Sequence, residues 1–201
     1  EMGGLGRIMP ITAITAWIGS LALIGFPFTS GFFSKDLIIE SVKVADRTGA
    51  GFATFAVYAG VVVTALYTFR MLYLTFHGSS RTDAETLSHA QESPWVVTLP
   101  LILLAIPSLF IGWLTVEPLL FGGALSDAIN VAPGHDPLVH IGEHFHGATA
   151  FALHGFMTPV FGLAMLGVAF FAERVASKEN IADGLSRNYW ILANRLGIPR
   201  E

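Results

Sequence analysis

Gly25-Phe26-Pro27-Phe28-Thr29-Ser30-Gly31-Phe32-Phe33-Ser34-Lys35-Asp36 decides how this chain folds. The stretch joins two apolar runs. Residues 11–24 carry no charge at all, and Leu37-Ile38-Ile39 follows. A proline inside a helix removes one backbone hydrogen bond and collides with the carbonyl four residues back. Gly25 and Gly31 free the backbone on either side. The helix is therefore expected to break across residues 25–31, at Gly25, Pro27 and Gly31, while apolar sequence continues beyond. At membrane depth such a break is tolerated only where protein or a water-filled cavity supplies the lost partners. Lys35 and Asp36 stand just past it. Ionisable groups inside a membrane are costly and mark functional sites. A broken membrane helix with an ionisable pair beside the break is the layout of an ion or proton path. The plainer reading ends a span at the membrane surface, where a lysine stem snorkels to water. Lys35 comes about 25 residues after Pro10, more than the roughly 20 of a straight span. A break shifts the register, so counting leaves both readings open.

Composition supports a membrane protein. Of 201 residues, 53% are hydrophobic and 13% charged, with a mean hydropathy of +0.61. Soluble domains carry about 25% charged residues. The absence of cysteine excludes disulfides, thiolate metal sites and cysteine-held iron–sulfur clusters in these residues. A net charge of −4 does not suggest a nucleic-acid partner. The acidic, glycine-rich start lacks the basic n-region of a signal peptide. Glu1 at the start, and Arg200-Glu201 directly after Pro199 at the end, read as a fragment of a longer polypeptide.

The apolar runs predict an all-α integral membrane fold with four spans, at about 9–43 (broken), 52–76, 95–116 and 149–171. They form part of a larger helix bundle. Pro100, Pro107 and Pro159 are expected to bend their spans at most, because neighbouring groups satisfy a proline in a membrane helix. Residues 77–94 and 117–148 read as loops. Residues 178–201 read as a polar to amphipathic lead-in, with Tyr189 and Trp190 suited to an interface. Arg7, Arg81, Arg174, Lys178, Arg187, Arg195 and Arg200 fall on one side of this four-span plan, and Lys43 and Arg47 on the other. The arginine-rich side is therefore expected to face the cytoplasm or matrix, with the first span running outward.

Lys35 and Asp36 are the candidate proton-transfer groups. On a helix they point about 100° apart, so each needs partners other than its neighbour. A lysine in a low-dielectric cavity takes and releases protons near neutral pH. Glu40 and Lys43 have the spacing of an ordinary surface pair. Arg70 is either an interfacial anchor or a polar brace to a neighbouring helix. His77 is a helix-end dipole partner or sits at a proton entrance. His154 packs by hydrogen bonding or takes part in a relay. These three are the candidate polar support. His135, His140, His144 and His146 crowd one loop. They read as solvated, titratable side chains rather than a metal site, since no second ligand cluster accompanies them. No nucleotide-binding glycine fingerprint, P-loop or serine-hydrolase elbow is present.

Gly3-Gly4-Leu5 with Met9-Pro10, Gly25-Phe26-Pro27 and Gly31-Phe32-Phe33-Ser34-Lys35-Asp36 resemble the antiporter-like membrane subunits of respiratory complex I. Tyr67-Thr68-Phe69-Arg70, Leu74-Thr75-Phe76-His77-Gly78 and Glu92-Ser93-Pro94-Trp95 narrow the resemblance. They point to the branch of NADH–quinone oxidoreductase subunit L and mitochondrial chain 5. The resemblance covers nearly the whole chain. It implies a C-terminal portion of such a subunit, from its broken twelfth helix onward. It implies that Lys35 sits in the outward proton half-channel, with Asp36 beside it. The family often has an acidic residue after that aspartate; Leu37 stands here. The family's other key groups, a glutamate and further lysines on earlier helices, lie outside these residues, as does its lateral helix. No redox centre or cofactor is implied in this chain. NADH, FMN, iron–sulfur clusters and quinone would belong to other subunits of the oxidoreductase, itself a proton-pumping translocase. The implied partners are the other membrane-arm subunits and the lipid bilayer, in a bacterial plasma membrane rather than a mitochondrial inner membrane. The related large subunit of multi-subunit sodium/proton antiporters is the alternative. A structural scaffold with Lys35 and Asp36 braced and inert is the alternative of another class.

Overall fold

Pro10 opens the first helix, α1 (Pro10–Ile24), at the position where its missing N–H costs least. In this computed structural model the chain is described at residues 2–176 except 46, 79, 126, 127, 130, 132–135 and 144, with backbone alone at 171–176. His135, His144 and the expected lead-in at 178–201 lie outside the described residues. Among the described residues every regular element is helical. Seven further helices follow: α2 (Ser30–Val44), α3 (Ala50–Phe76), α4 (Ala84–Ser88), α5 (Trp95–Val116), α6 (Pro137–Glu143), α7 (Ala148–Gly155) and α8 (Pro159–Ala176). A wider π turn, Glu117–Phe121, extends α5, closed by Gly122 N–H on the Glu117 carbonyl at 2.7 Å.

Two helices are long and apolar enough to cross a bilayer, Ala50–Phe76 and Trp95–Phe121, each of 27 residues. At about 1.5 Å per residue either exceeds the roughly 30 Å hydrocarbon core. Pro100 and Pro107 lie inside α5 without ending it. The helix turns Val96, Leu103, Leu104 and Phe110 outward, as expected of a surface that meets lipid. α1 and α2 have 15 residues each, too few for either to span alone.

The fourth apolar run departs from the continuous span expected at 149–171. It is two helices, α7 and α8, meeting at a 50° bend. Thr158 sits in the joint. Its hydroxyl donates to the Gly155 carbonyl at 2.8 Å and accepts from Phe161 N–H at 3.3 Å, so it serves the end of one half-helix and the start of the next. The interruption thus precedes Pro159, which takes the first position of α8. The long loop also contains α6, which the sequence did not suggest.

Small residues set the helix spacing. A Cβ on Gly167 of α8 would stand 2.9 Å from the Ala65 Cβ of α3, so the two backbones approach closely there. Packed side chains fill the rest: Phe32, Phe33, Leu37, Val116, Ile141 and Ala152 in one cluster, and Ile39, Val61, Val160 and Ala164 in another. The start of the chain lies beside the end of α3, where Gly4 N–H reaches the His77 carbonyl at 3.1 Å and Arg81 Nε reaches the Met2 carbonyl at 3.0 Å.

Candidate functional site

The first interruption is built from its own backbone. Gly25 takes φ 78, a left-handed conformation open to glycine. It closes α1 as a Schellman motif, with Gly25 N–H on the Ala22 carbonyl at 3.1 Å and Phe26 N–H on the Leu21 carbonyl at 3.0 Å. Pro27 is fully buried in the joint. Phe28 has φ 74, unusual for a residue with a side chain and a local source of strain. Thr29 then folds back, its hydroxyl donating to the Phe26 carbonyl at 2.6 Å, and α2 starts at Ser30.

Three consecutive residues at the head of α2 each seat on a different helix. The Ser30 hydroxyl donates to the Pro107 carbonyl of α5 at 2.7 Å and accepts from Gly112 N–H at 2.9 Å. A Cβ on Gly112 would come within 2.6 Å of the Ser30 Cα, so only glycine permits that approach. A Cβ on Gly31 would run into the Ala22 carbonyl oxygen of α1. The Phe32 ring occupies the space that a Cβ on Gly155 of α7 would need.

One turn further on stand the two candidate proton-transfer groups. Lys35 is half-buried and runs back over the break: a Cβ on Gly25 would be 3.3 Å from the Lys35 Cδ. The lysine stem thereby lies over the carbonyl end of α1. Among the described residues Lys35 makes no ion pair and no hydrogen bond. Asp36 is 5% exposed and faces the other way, into an open cleft of ≈ 890 Å³. The cleft runs between α2, α6 and α7. Its polar lining is Asp36, Glu40 and Lys43 from α2, His140 and Glu143 from α6, His146, and His154 with Thr158 from the second joint. Glu40 and Lys43 form an ion pair at 2.8 Å on its rim.

His154 therefore joins the same cleft as Asp36, while Arg70 and His77 do not line it. Arg70 is exposed on α3. His77 follows α3 at the opposite end of the bundle, its ring 5.5 Å from Trp17 and 5.1 Å from Tyr73 between centroids. Among the described residues no group of three or more histidines and carboxylates is arranged to hold a metal ion.

Sequence reasoning passed over two supporting residues. Ser30 is one, and nothing in the sequence links it to residues 107 and 112. The other is Glu92, whose Oε2 accepts from Ile11 N–H at 2.7 Å and from Thr12 N–H at 3.4 Å, while Oε1 accepts from the Thr12 hydroxyl at 2.7 Å. Helix α1 is preceded by Met9, which cannot cap it, so its free N–H groups require an acceptor from elsewhere. That missing local cap was the available signal. Partial desolvation opposes charge on Glu92, and the hydrogen bonds from Thr12 and the Ile11 backbone outweigh it, holding the carboxyl below its ordinary range.

Residues 1–81 match the model of a membrane family described as NADH:quinone oxidoreductase/Mrp antiporter. Over 185 residues the chain is 46% identical to NADH-quinone oxidoreductase subunit L of Neisseria meningitidis serogroup B, a match covering 84% of this chain and 27% of the relative. It is 35% identical over 200 residues to NADH-ubiquinone oxidoreductase chain 5 of Metridium senile, covering 96% of this chain and 33% of that protein. The chain 5 of Marchantia polymorpha is 39% identical over 120 residues, 60% of this chain and 18% of its own length. The chain thus spans about a third or less of the relatives it matches.

Proposed function

Because residues 1–81 belong to the NADH:quinone oxidoreductase/Mrp antiporter membrane family, and the chain is homologous to subunit L and chain 5 over most of its length, we propose that it forms part of a proton path in the membrane arm of an NADH–quinone oxidoreductase. Lys35 carries the proton in the outward half-channel, with Asp36 a second proton-transfer group of the same path on the other side of α2. One observation carries this reading: a half-buried lysine without a partner among the described residues lies at a helix break, next to a buried aspartate that opens into a polar cleft. Such a lysine has no brace to satisfy, and Asp36 puts a second ionisable group into the polar cleft on the other side of α2. The redox groups belong to other subunits, the chain's partners are other membrane-arm subunits and lipid, and the membrane is a bacterial plasma membrane. The four spans close with α1 and α2 as one broken crossing and α7 and α8 as another.

The test uses the full-length protein in its assembled complex, in sealed vesicles. Lys35→Ala is expected to lower coupled proton pumping by about tenfold or more while assembly on native gels persists. Lys35→Arg is expected to restore little of it, since arginine keeps the charge but does not give up its proton at physiological pH. An inert brace predicts the reverse, because arginine supplies the same charge and more donors. Wild-type pumping by Lys35→Arg would sink the proton-carrying role. The family description also covers Mrp antiporters. For that reading the expected result is sodium-dependent proton movement without NADH.

A further inference from the structure

The second helix joint lies against the first and opens onto the cleft that Asp36 lines. Phe156 and Phe161, on either side of the joint, meet Phe26 with ring centroids at 5.8 and 5.9 Å. Phe156 also meets the strained Phe28 at 6.3 Å, and Phe32 fills the gap left by Gly155. The two interruptions therefore pack as one aromatic block. The bend ends α7 at Gly155, which leaves His154 in its last turn with Asp36 in the lining of one cleft. A cleft of ≈ 890 Å³ holds many waters at about 30 Å³ each, enough to connect groups that do not touch.

From this we infer that His154 is a second proton-transfer residue, taking the proton from Asp36 and passing it to the cleft. The inference rests on the function proposed above. The step is a plain proton exchange. The Asp36 carboxyl O–H breaks and, through water in the cleft, an N–H forms on the imidazole. The other ring N–H then breaks, and that proton goes to cleft water or to a carboxylate on the rim. The groups facing this route are Asp36, Glu40 and Lys43 from α2, His140 and Glu143 from α6, His146 and His154 itself. An imidazole suits the role because it gains and loses a proton near neutral pH and has two nitrogens on which to do it.

The experiment again uses the assembled complex in sealed vesicles. His154→Gln keeps hydrogen bonding and size but cannot be protonated. It is expected to pump about tenfold more slowly and to change the pH dependence of pumping. His154→Ala is expected to be equally slow and to regain rate when free imidazole is added, because the cleft is open. Lys35→Ala should gain nothing from imidazole. Wild-type rate and pH profile in His154→Gln would overturn the inference, and so would a slow His154→Ala that imidazole does not restore. If His154→Ala fails to assemble, the pH profile of His154→Gln decides alone. A normal His154→Gln alongside an impaired Lys35→Ala counts against this inference only, whereas normal pumping by Lys35→Ala counts against the proposed function.

Discussion

Glu92 ties the loop before α5 to the first turn of α1, across 80 residues of sequence. Its carboxyl is held below the ordinary range by the Thr12 hydroxyl and the Ile11 N–H, against partial desolvation. A depressed folded-state pKa means that the unfolded chain binds the proton more readily. The stabilisation is therefore fully present above the ordinary carboxyl range and disappears as pH falls through the folded value. Glu92→Gln should thus lower the thermal midpoint of the protein in detergent at pH 7, and the gap to wild type should close as the pH is lowered below ~4. Thermal unfolding followed across pH checks it, and a gap that stays constant down to pH ~3 would show that the charge contributes nothing. Gly25 is the other residue whose identity is dictated locally. Its left-handed φ and the Lys35 stem above it leave no comfortable place for a side chain.

At the scale of the helix, the Ser30 clamp holds α2 to α5 through two hydrogen bonds. Each contributes about 1 kcal/mol, and stranding a buried backbone group costs about 1–3 kcal/mol. Ser30→Ala should therefore destabilise the protein by about 1–3 kcal/mol, read as a lower midpoint in denaturant. Ser30→Thr should retain most of the bonding. An unchanged midpoint in Ser30→Ala would mean that the Pro107 carbonyl and Gly112 N–H find other partners at no cost. Helix class was legible from the uninterrupted apolar runs, because a bilayer leaves a backbone few other choices. Gly25 and Pro27 also mark the interruption of the first run in the sequence, and α1 ends at Ile24 in the structure. The second joint was less legible. Gly155 and Thr158 are ordinary residues for a membrane helix, and it takes the ring of Phe32, more than 120 residues away in sequence, to make a glycine necessary there. The shared cleft was illegible for the same reason. It depends on α6 folding over α2, and no local pattern announces that contact. The strain at Phe28 was equally hidden, since phenylalanine is a poor signal for a positive φ.

Across the whole molecule the elements sort to two ends. The start of α1, the end of α3 and the residues just before α5 meet at one, through Gly4, His77, Arg81 and Glu92. The other end gathers the last turns of α2 and α5 with α6, where Phe121 stacks on Phe145 at 4.3 Å. Cysteines introduced in the loop at residues 79–91 and in the loop at residues 117–148 are therefore expected to react with a membrane-impermeant maleimide from opposite faces of sealed vesicles. Labelling of both from one face would rule out a crossing by α5. The arrangement at the head of α2 has a mechanical consequence. A rod held at one point can pivot, and held at two it can still spin about the line between them. Ser30, Gly31 and Phe32 fix this rod against three neighbours that do not lie in a line. Sliding α2 along its axis or turning it about that axis would dislodge all three together. Piston and rotor movements of the lysine-bearing helix are thereby opposed at its head.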